Sequence, residues 1–459
     1  MTNVRRASFS VFALLLAAST PARANGRFPS ANMLVAQPNA PSHLALRATY
    51  GLLLSKDDGA NWDWVCERAL GYSGNEDPSV VIAGNGALVV GSFSGVVRST
   101  DGGCHFDTDP SWPKSVVDLA TRPTAPDRIY ALTGAFAAMG DAGSTYTSKV
   151  WVSDDAGAHW AERGTLDPRY LVDTIEVAPS DPKRVYVSAV RTAGKTTEAA
   201  IFRSNDDGAH FEKHALALTG EERGLYIAAV APKDANRIYL RTGGALEGRL
   251  LVSSDGGKTT KEVLRSDALR AFALSPDGTT LWTGGARDGL QRAATTDFHF
   301  EKTSATPLEC LAAVGDRLWA CTPAVIGSVL AVSTDRGASF TPRLTLDGMR
   351  GPLQCAGPSA MDECAADWSA LRSVIAPRPP SMPTSTPSAA ASSAPVVEKR
   401  SFFSCAFAPA RKSSGFWLVF AAIAVIAGRR RARRRRHRHN KCVSPSASSP
   451  GITSRNHMP

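Results

Sequence analysis

One eight-residue pattern recurs along the chain and constrains its fold more than any other feature. The pattern has Ser first, Asp third and Gly fifth, and an aromatic residue is eighth in all but one copy. We call this segment the repeated turn. The copies begin at Ser55, Ser99, Ser153, Ser204, Ser253 and Ser333, at intervals of 44, 54, 51, 49 and 80 residues. The last interval is close to two periods, which predicts an eroded copy near Asp297.

The shared positions of the repeated turn have a structural explanation. Ser and Asp side chains can accept hydrogen bonds from backbone amides of their own loop, Gly can take a positive φ, and the aromatic ring can pack beneath the turn. We therefore expect these residues to hold a hairpin rather than to perform chemistry. They are Ser55, Asp57, Gly59, Trp62, Ser99, Asp101, Gly103, Phe106, Ser153, Asp155, Gly157, Trp160, Ser204, Asp206, Gly208, Phe211, Ser253, Asp255, Gly257, Ser333, Asp335, Gly337 and Phe340, with Thr260 in place of one aromatic.

A second pattern runs in step with the first. Its members are Arg128-Ile129-Tyr130, Arg184-Val185-Tyr186, Arg237-Ile238-Tyr239, Thr280-Leu281-Trp282 and Arg317-Leu318-Trp319, with His43-Leu44-Ala45 and Ala87-Leu88-Val89 in the first two slots. Both patterns count seven units. A period of about 40 to 50 residues with short β-type runs is typical of four-stranded propeller blades. No unit has a long helical stripe, so we predict an all-β, seven-bladed β-propeller over residues 25–375, with almost no helix after residue 30.

The repeated turn resembles the Asp-box, or BNR, repeat found in the propellers of sialidases, xyloglucan-cleaving glucanases, sortilin-type receptors and photosystem assembly factors. The resemblance implies a propeller, and it places the Asp-box turns at the periphery, away from the ligand face. It says little about activity, because these families include both enzymes and binding proteins.

Six of the eight cysteines lie outside the C-terminal segment: Cys66, Cys104, Cys310, Cys321, Cys355 and Cys364. Six cysteines allow fifteen pairings, and an exported chain favours disulfides over free thiols. On proximity in sequence we expect Cys355 to pair with Cys364, Cys310 with Cys321, and Cys66 with Cys104 across neighbouring blades.

The N-terminus has the features of a signal peptide. Arg5 and Arg6 precede an apolar run at residues 9–18, and Ala22-Arg23-Ala24 offers small residues for cleavage. We expect residues 1–24 to be removed. The alternative is an N-terminal membrane anchor, for which the apolar run is too short.

The C-terminus combines a stalk with a sorting segment. Residues 376–400 are rich in Pro, Ser and Ala, residues 401–441 contain Cys405, twelve apolar residues (416–427) and an Arg cluster, and 442–459 form a polar tail. The second segment resembles the MYXO-CTERM sorting tail of myxobacteria. This resemblance implies processing near Cys405 by sorting machinery and display at the cell surface, whereas the alternative is a plain membrane anchor.

The charge distribution argues against nucleic acid. The formal net charge is +10, but residues 429–441 carry nine Arg or Lys and no acid, and Arg5, Arg6 and Arg23 add three more, which leaves a near-neutral body. His105, His159 and His210 occupy the same position of different repeated turns, so we expect no shared metal site. The sequence indicates no cofactor, and we expect a monomer.

Two classes of function remain open. The first is a surface propeller that binds a protein or glycan partner without chemistry, and the second is a glycoside hydrolase. The Phe-Arg-Ile-Pro signature of sialidases is absent, because Phe202-Arg203 leads directly into a repeated turn. Asp118, Asp173 and Glu309 are carboxylates outside the turns, for which we expect a solvated or strand-end role. We favour the binding protein.

Overall fold

The computed structural model describes residues 29–74, 76–140, 143–194, 196–244, 247–267 and 269–375. These residues form seven antiparallel sheets, each made of strands that follow one another in sequence. The first strands of the sheets contact one another in a closed ring, so the sheets are blades around a common axis. The prediction of an all-β, seven-bladed β-propeller is confirmed.

The strands of each blade are numbered in chain order. Blade 1 contains β1 (Ala31–Gln37), β2 (Ala40–Ala48), β3 (Gly51–Ser55) and β4 (Asp63–Val65). Blade 2 contains β5 (Ser79–Ile82), β6 (Leu88–Ser92) and β7 (Gly95–Ser99). Blade 3 contains β8 (Val116–Arg122), β9 (Ala125–Gly140), β10 (Gly143–Ser153) and β11 (Ala161–Thr165). Blade 4 contains β12 (Leu171–Val177), β13 (Val185–Ala193), β14 (Thr196–Ser204) and β15 (Glu212–Ala217).

The remaining blades follow the same order. Blade 5 contains β16 (Gly224–Ala231), β17 (Asp234–Gly243), β18 (Glu247–Ser253) and β19 (Lys261–Asp267). Blade 6 contains β20 (Leu269–Leu274), β21 (Thr280–Gly285), β22 (Gly289–Ala294) and β23 (Glu301–Ser304). Blade 7 contains β24 (Cys310–Val314), β25 (Arg317–Cys321), β26 (Leu330–Ser333) and β27 (Thr341–Leu344). A helix, α1 (Met361–Ile375), comes after blade 7.

The two sequence patterns mark fixed points of the blades. Each of the six clear repeated turns starts at the last residue of a third strand. In blade 6 the eroded copy starts at Thr295, just after β22. Phe298, its fourth residue, has a φ of 56°, and the fourth residue of four other repeated turns also has a positive φ: Asp58, Ala156, Asp207 and Arg336. The erosion therefore changed the side chains but kept the backbone turn.

Blade 2 departs from the expected four strands. It has three strands, and a single antiparallel bridge between Arg98 and Asp107 stands where a fourth strand would pair. Pro110 and Pro113 follow this bridge, and proline cannot donate to a strand ladder. The ladder therefore ends after one pair.

The second pattern ties neighbouring blades together. The tyrosines Tyr130, Tyr186 and Tyr239 are fully buried. The arginine two residues before each of them, and Arg317 in blade 7, reach an acceptor on the next blade in the ring: Arg128 to Asp207, Arg184 to Asn236 Oδ1, Arg237 to the Thr295 carbonyl and Arg317 to Asp58. Three of the pairs join a second strand to a turn of the neighbouring blade, whereas Arg184, directly before β13, reaches Asn236 on the second strand β17.

The helix α1 overturns the expectation that residues 30–375 contain almost no helix. Residues 349–375, which we call the strap, leave blade 7 and cross to blade 1. There the Gly351 carbonyl accepts from Trp64 N at 2.7 Å, and Leu353 N donates to the Trp64 carbonyl at 2.9 Å, which adds a parallel segment beside β4. Trp368 of α1 packs on Trp64, with ring centroids 5.5 Å apart. The strap closes the ring.

Two of the three expected disulfide pairings are wrong. The bonds join Cys66 to Cys364, Cys104 to Cys355 and Cys310 to Cys321, so only the last matches. Cys310 and Cys321 face each other on the paired strands β24 and β25. The other pairings differ because the strap carries Cys355 to blade 2 and Cys364 to blade 1, so residues close in sequence lie against different blades.

Several sequence-based expectations lie outside the described residues: the signal peptide (1–24), the stalk (376–400), the segment 401–441 with Cys405, and the tail (442–459). Within the residues that the structure describes, no helix combines the length and the apolar character needed to cross a membrane. The three disulfides indicate an extracytoplasmic protein.

Candidate functional site at the propeller axis

The strand order gives the propeller two different faces. In a sheet of sequential antiparallel strands, the turns after the first and third strands lie at one end, and the turn after the second strand and the linker to the next blade lie at the other. All six repeated turns follow third strands and share the first end, which we call the turn face. We call the opposite end the loop face.

Each repeated turn is organised by its own Ser and Asp. In the turn of blade 3, Ser153 Oγ donates to Asp155 Oδ1 at 2.9 Å and accepts from Gly157 N at 2.8 Å, and His159 N donates to Asp155 Oδ1 at 2.9 Å. The other five clear turns repeat these three bonds. Burial opposes the charge of Asp155, but the bonds from His159 and Ser153 outweigh it and lower its pKa to about 2.

The three turn histidines do not converge. Nδ1 of His105, His159 and His210 lies 2.5 to 2.6 Å from a carboxylate oxygen of the Asp in its own turn, and each turn belongs to a different blade. Each imidazole is thus held by its own blade.

A charged cavity, which we call the axial pocket, opens on the loop face. It has a volume of about 530 Å³ and is lined by Ser30, Asn32, Arg47, Thr49, Asp77, Arg241, Arg270 and Glu309. These residues come from blades 1, 5 and 6 and from the linkers to blades 2 and 7. Residues far apart in the chain therefore meet at one mouth.

Arg241 is the distinctive residue of the axial pocket. Its guanidinium lies 4.8 Å from the centre of the Tyr226 ring, and the two residues face each other across β16 and β17. No carboxylate of the described residues lies within ion-pair distance of it, and burial, with repulsion from Arg270, lowers its pKa. A half-buried cation without an acidic partner attracts anions.

Two glycines make room for the Tyr226 ring. A Cβ atom at Gly224 would lie 2.8 Å from Tyr226 Oη, and one at Gly243 would lie 2.7 Å from a ring carbon. The ring can therefore lie against the sheet beneath Arg241 only because both positions lack a side chain. This arrangement fixes the platform on which the guanidinium rests.

The other arginines of the axial pocket are paired. Arg270 Nη1 lies 2.8 Å from Glu309 Oε2, and Arg47 donates to Asn32 Oδ1 at 2.8 Å and to the Pro78 carbonyl at 2.9 Å. The positive charge without a partner is thus concentrated on the blade 5 side of the mouth.

Carboxylates also line the ring of first strands. Asp118 accepts from Ser79 Oγ at 2.9 Å and from Ile175 N at 3.0 Å, and so joins three blades, while Asp173 accepts from Leu225 N at 3.4 Å. Burial raises the pKa of Asp118 to about 6 and that of Asp173 to about 7. Burial, together with the nearby charge of Asp118, raises the pKa of Glu176 to about 8.

Sequence analysis named Asp118, Asp173 and Glu309 but expected a solvated or strand-end role for them. For Asp118 and Asp173 this expectation is wrong, because both lie inside first strands, where their carboxylates accept hydrogen bonds from neighbouring blades. Glu309 lies directly before β24 and lines the axial pocket. Sequence analysis missed Glu176, Tyr226 and Arg241. The available signals were an acid between Ile175 and Val177, and an Arg inside the apolar strand β17.

The propeller is similar to solved structures of two enzymes and of one extracellular domain. An ancestral GH74 enzyme superposes with a TM-score of 0.51 at 16% identity over 70% of this chain and 47% of that one. The GH74 xyloglucanase of Xanthomonas campestris gives 0.34 at 15% identity over 72% and 66%. The extracellular domain assigned to a hybrid two-component system of B. thetaiotaomicron gives 0.45 at 14% identity over 65% and 37%.

The chain spans about half the length of the ancestral GH74 enzyme, and at this identity the similarity establishes the fold alone. No protein-family model matches the chain, and no curated protein sequence is similar to it. What the site does must therefore be argued from its own residues.

Proposed function

We propose that this chain is an exported, surface-held propeller of the Asp-box type that binds a protein or glycan partner through its loop face, without chemistry. The observation that carries the proposal is the Arg241 guanidinium in the axial pocket, which offers an anchor for an acidic group of the partner. Export by residues 1–24 and display by a MYXO-CTERM-like segment processed near Cys405 belong to the same proposal.

Exposed apolar side chains support the loop face as the contact surface. Phe93, Phe136, Met139 and Val325 are 61%, 61%, 71% and 80% exposed, and all four lie on loop-face connections. The long β9–β10 hairpin carries two of them, and Phe136 packs edge-on against Tyr146. Exposed aromatic and aliphatic groups around a charged cavity are typical of binding surfaces.

The hydrogen bonds that Asp118 and Asp173 make between first strands argue against a catalytic role for these carboxylates. Asp118 and Asp173 accept backbone amides of neighbouring first strands, so moving either would loosen a joint between blades. Tyr170 and Glu198 form a tyrosine–glutamate pair of the kind that sialidases use, in which Tyr170 Oη donates a hydrogen bond to Glu198 Oε1. Burial and this hydrogen bond raise the pKa of Tyr170 to about 12, which disfavours a role as nucleophile.

The proposal is tested on the exported protein with a glycan array and a pull-down from the surrounding medium. We expect Arg241→Gln to weaken partner binding at least tenfold. The change removes the positive charge that no carboxylate of the described residues neutralises, and it keeps a polar side chain. Lys258→Gln, an exposed change on the turn face, serves as the control. Equal binding by both variants would remove the axial pocket from the interaction.

A second candidate function, glycoside hydrolysis, is favoured by one observation. A carboxylic acid that stays protonated near neutral pH can act as a general acid, and Glu176 has a pKa of about 8 beside Asp118. Incubation with xyloglucan tests this candidate. Release of reducing sugar by the wild type, abolished in Glu176→Gln, would replace the binding proposal with an enzyme.

A further inference from the structure

A second cavity lies on the turn face, between blades 3 and 4. We call it the basic pocket. It has a volume of about 520 Å³ and is lined by Arg122, Arg128, Arg163, Pro182, Lys183, Asn205, Asp206 and Asp207. It is built from the end of β8, the start of β9, β11, the turn after β12 and the repeated turn of blade 4. The axial pocket shares none of these residues.

The carboxylates of the basic pocket are already satisfied. The Asp207 carboxylate accepts from Arg128 Nη2 at 2.5 Å and from Tyr130 Oη, and it forms an ion pair with Arg163, whose Nη2 is 3.3 Å away. Asp206 accepts from the amide and ring of His210 and from Ser204, bonds that hold its pKa well below the usual range. Asp207 is therefore engaged by Arg128 and Arg163, and Asp206 by its own turn, so neither carboxylate is free for another cation.

Two cations in the basic pocket have no acidic partner. Arg122 Nε is buried and has no hydrogen-bond partner among the described residues, and no carboxylate in that part of the chain forms an ion pair with Arg122 or Lys183. A buried guanidinium N–H without an acceptor is costly. Arg122 and Lys183 face the cavity from blades 3 and 4 and give it a net positive charge.

The joint between blades 7 and 1 shows that these cations are not needed for the joint itself. There Arg317 and Asp58 form the same contact as Arg128 and Asp207. The positions that correspond to Arg122 and Lys183, at the end of β24 and near the start of β2, hold Val314 and Ser42. The extra charge is thus a property of one joint.

We propose that the basic pocket binds an oxyanion, as a phosphate, sulfate or carboxylate group on a larger polar molecule. Arg122 and Lys183 pair with the oxyanion from opposite walls, and the Asn205 amide at the rim adds a donor. The cavity is larger than a bare inorganic ion requires and falls in the range of small-molecule sites. This site is independent of the axial pocket and of the proposed loop-face partner.

The test is isothermal titration calorimetry of the full exported chain at low ionic strength, in an Arg241→Gln background so that the axial guanidinium does not contribute. The probes are inorganic phosphate, inorganic sulfate and glucuronate, with glucose as the neutral control. We expect oxyanion binding that weakens with added salt, and no heat from glucose. Arg122→Gln with Lys183→Gln should weaken the tightest oxyanion at least tenfold, while Lys258→Gln changes it less than twofold.

Absence of oxyanion binding, or equal weakening by Lys258→Gln, would overturn the proposal. Circular dichroism confirms that the double variant is folded. If it is not, Arg122→Lys replaces it, since this variant keeps the charge but loses the fork-shaped guanidinium, and it should weaken binding severalfold. Unchanged binding in Arg122→Lys would also overturn the proposal. The ranking of the three oxyanions identifies which group the natural ligand carries.

Discussion

Two joints of the propeller use the same contact but are secured differently. Between blades 3 and 4, Arg128 of one blade pairs with Asp207 of the next, and between blades 7 and 1, Arg317 pairs with Asp58. Both aspartates hold the same place in a repeated turn with positive φ, 66° and 61°. The blade 7–1 joint has, in addition, a strap with two disulfides.

The difference follows from chain connectivity. Blades 3 and 4 are joined by a continuous backbone, so their relative freedom in the unfolded chain is small. Blades 7 and 1 stand at opposite ends of the propeller sequence, so bringing them together costs more chain entropy than joining blades 3 and 4. Among the described residues every blade consists of strands from one stretch of sequence and none exchanges a strand with another blade, and the strap supplies a covalent link instead.

The largest effect should come from removing both strap disulfides. Replacing Cys66, Cys104, Cys355 and Cys364 by Ala frees bonds that span 298 and 251 residues, and we expect a loss of more than about 4 kcal/mol of unfolding free energy. Guanidinium denaturation measures it. The control, Cys310→Ala with Cys321→Ala, opens a separation of only 11 residues and should cost about 3 kcal/mol or less. A larger loss in the control would contradict this account of closure.

The next effect separates the two joints without touching a disulfide. Asp207 is 17% exposed and also accepts from Tyr130, whereas Asp58 is 39% exposed. We expect Asp207→Asn to lower the unfolding free energy by about 2 kcal/mol and Asp58→Asn by less than about 1 kcal/mol. Thermal melts of the two variants give the comparison. Equal losses would mean that burial of the pair does not distinguish the joints.

The joint between blades 4 and 5 adds a dependence on pH at the axis. The pKa of Asp173 is about 7, so from about pH 4 to 7 the folded chain holds a proton that the unfolded chain has released. Stability from this group is therefore lost as pH rises through that window. Asp173→Asn should raise stability by about 2 kcal/mol at pH 8 and leave it unchanged at pH 4. Melting curves recorded from pH 4 to 8 measure this difference. If the stability of Asp173→Asn depended on pH in the same way as that of the wild type, the assignment to Asp173 would be contradicted.

The smallest effect concerns a contact within a blade rather than between blades. Asp155→Ala removes the acceptor that organises one repeated turn, and we expect a loss of about 1 kcal/mol. Partner binding should survive, because this turn lies on the turn face. His159→Ala, which removes one bond of the same turn, should cost less. A variant of unchanged stability that no longer binds its partner would move the turn from scaffold to binding site.

The fold was predictable because the residues shared by the repeats determine the local backbone geometry of each blade. The Ser, Asp and Gly positions fix a turn, the Arg-Ile-Tyr positions start a strand, and the count of seven follows even where Thr295 has replaced Ser. The strap was not predictable, because α1 and Cys364 belong to no repeat. Of the axial pocket, sequence analysis had named only Glu309, because the pocket depends on Arg241, which rests on Tyr226, meeting residues from other blades.

The strap also determines how the propeller responds to mechanical load. Tension applied to the chain beyond Ile375 first reaches α1, where Cys364 passes it through a covalent bond to Cys66 in blade 1. Blade 7 lies behind this bond, so its strands are shielded from being peeled away one hydrogen bond at a time. A propeller pulled from this end should therefore resist as a closed ring until both strap disulfides, Cys66–Cys364 and Cys104–Cys355, are reduced, and unravel from blade 7 afterwards.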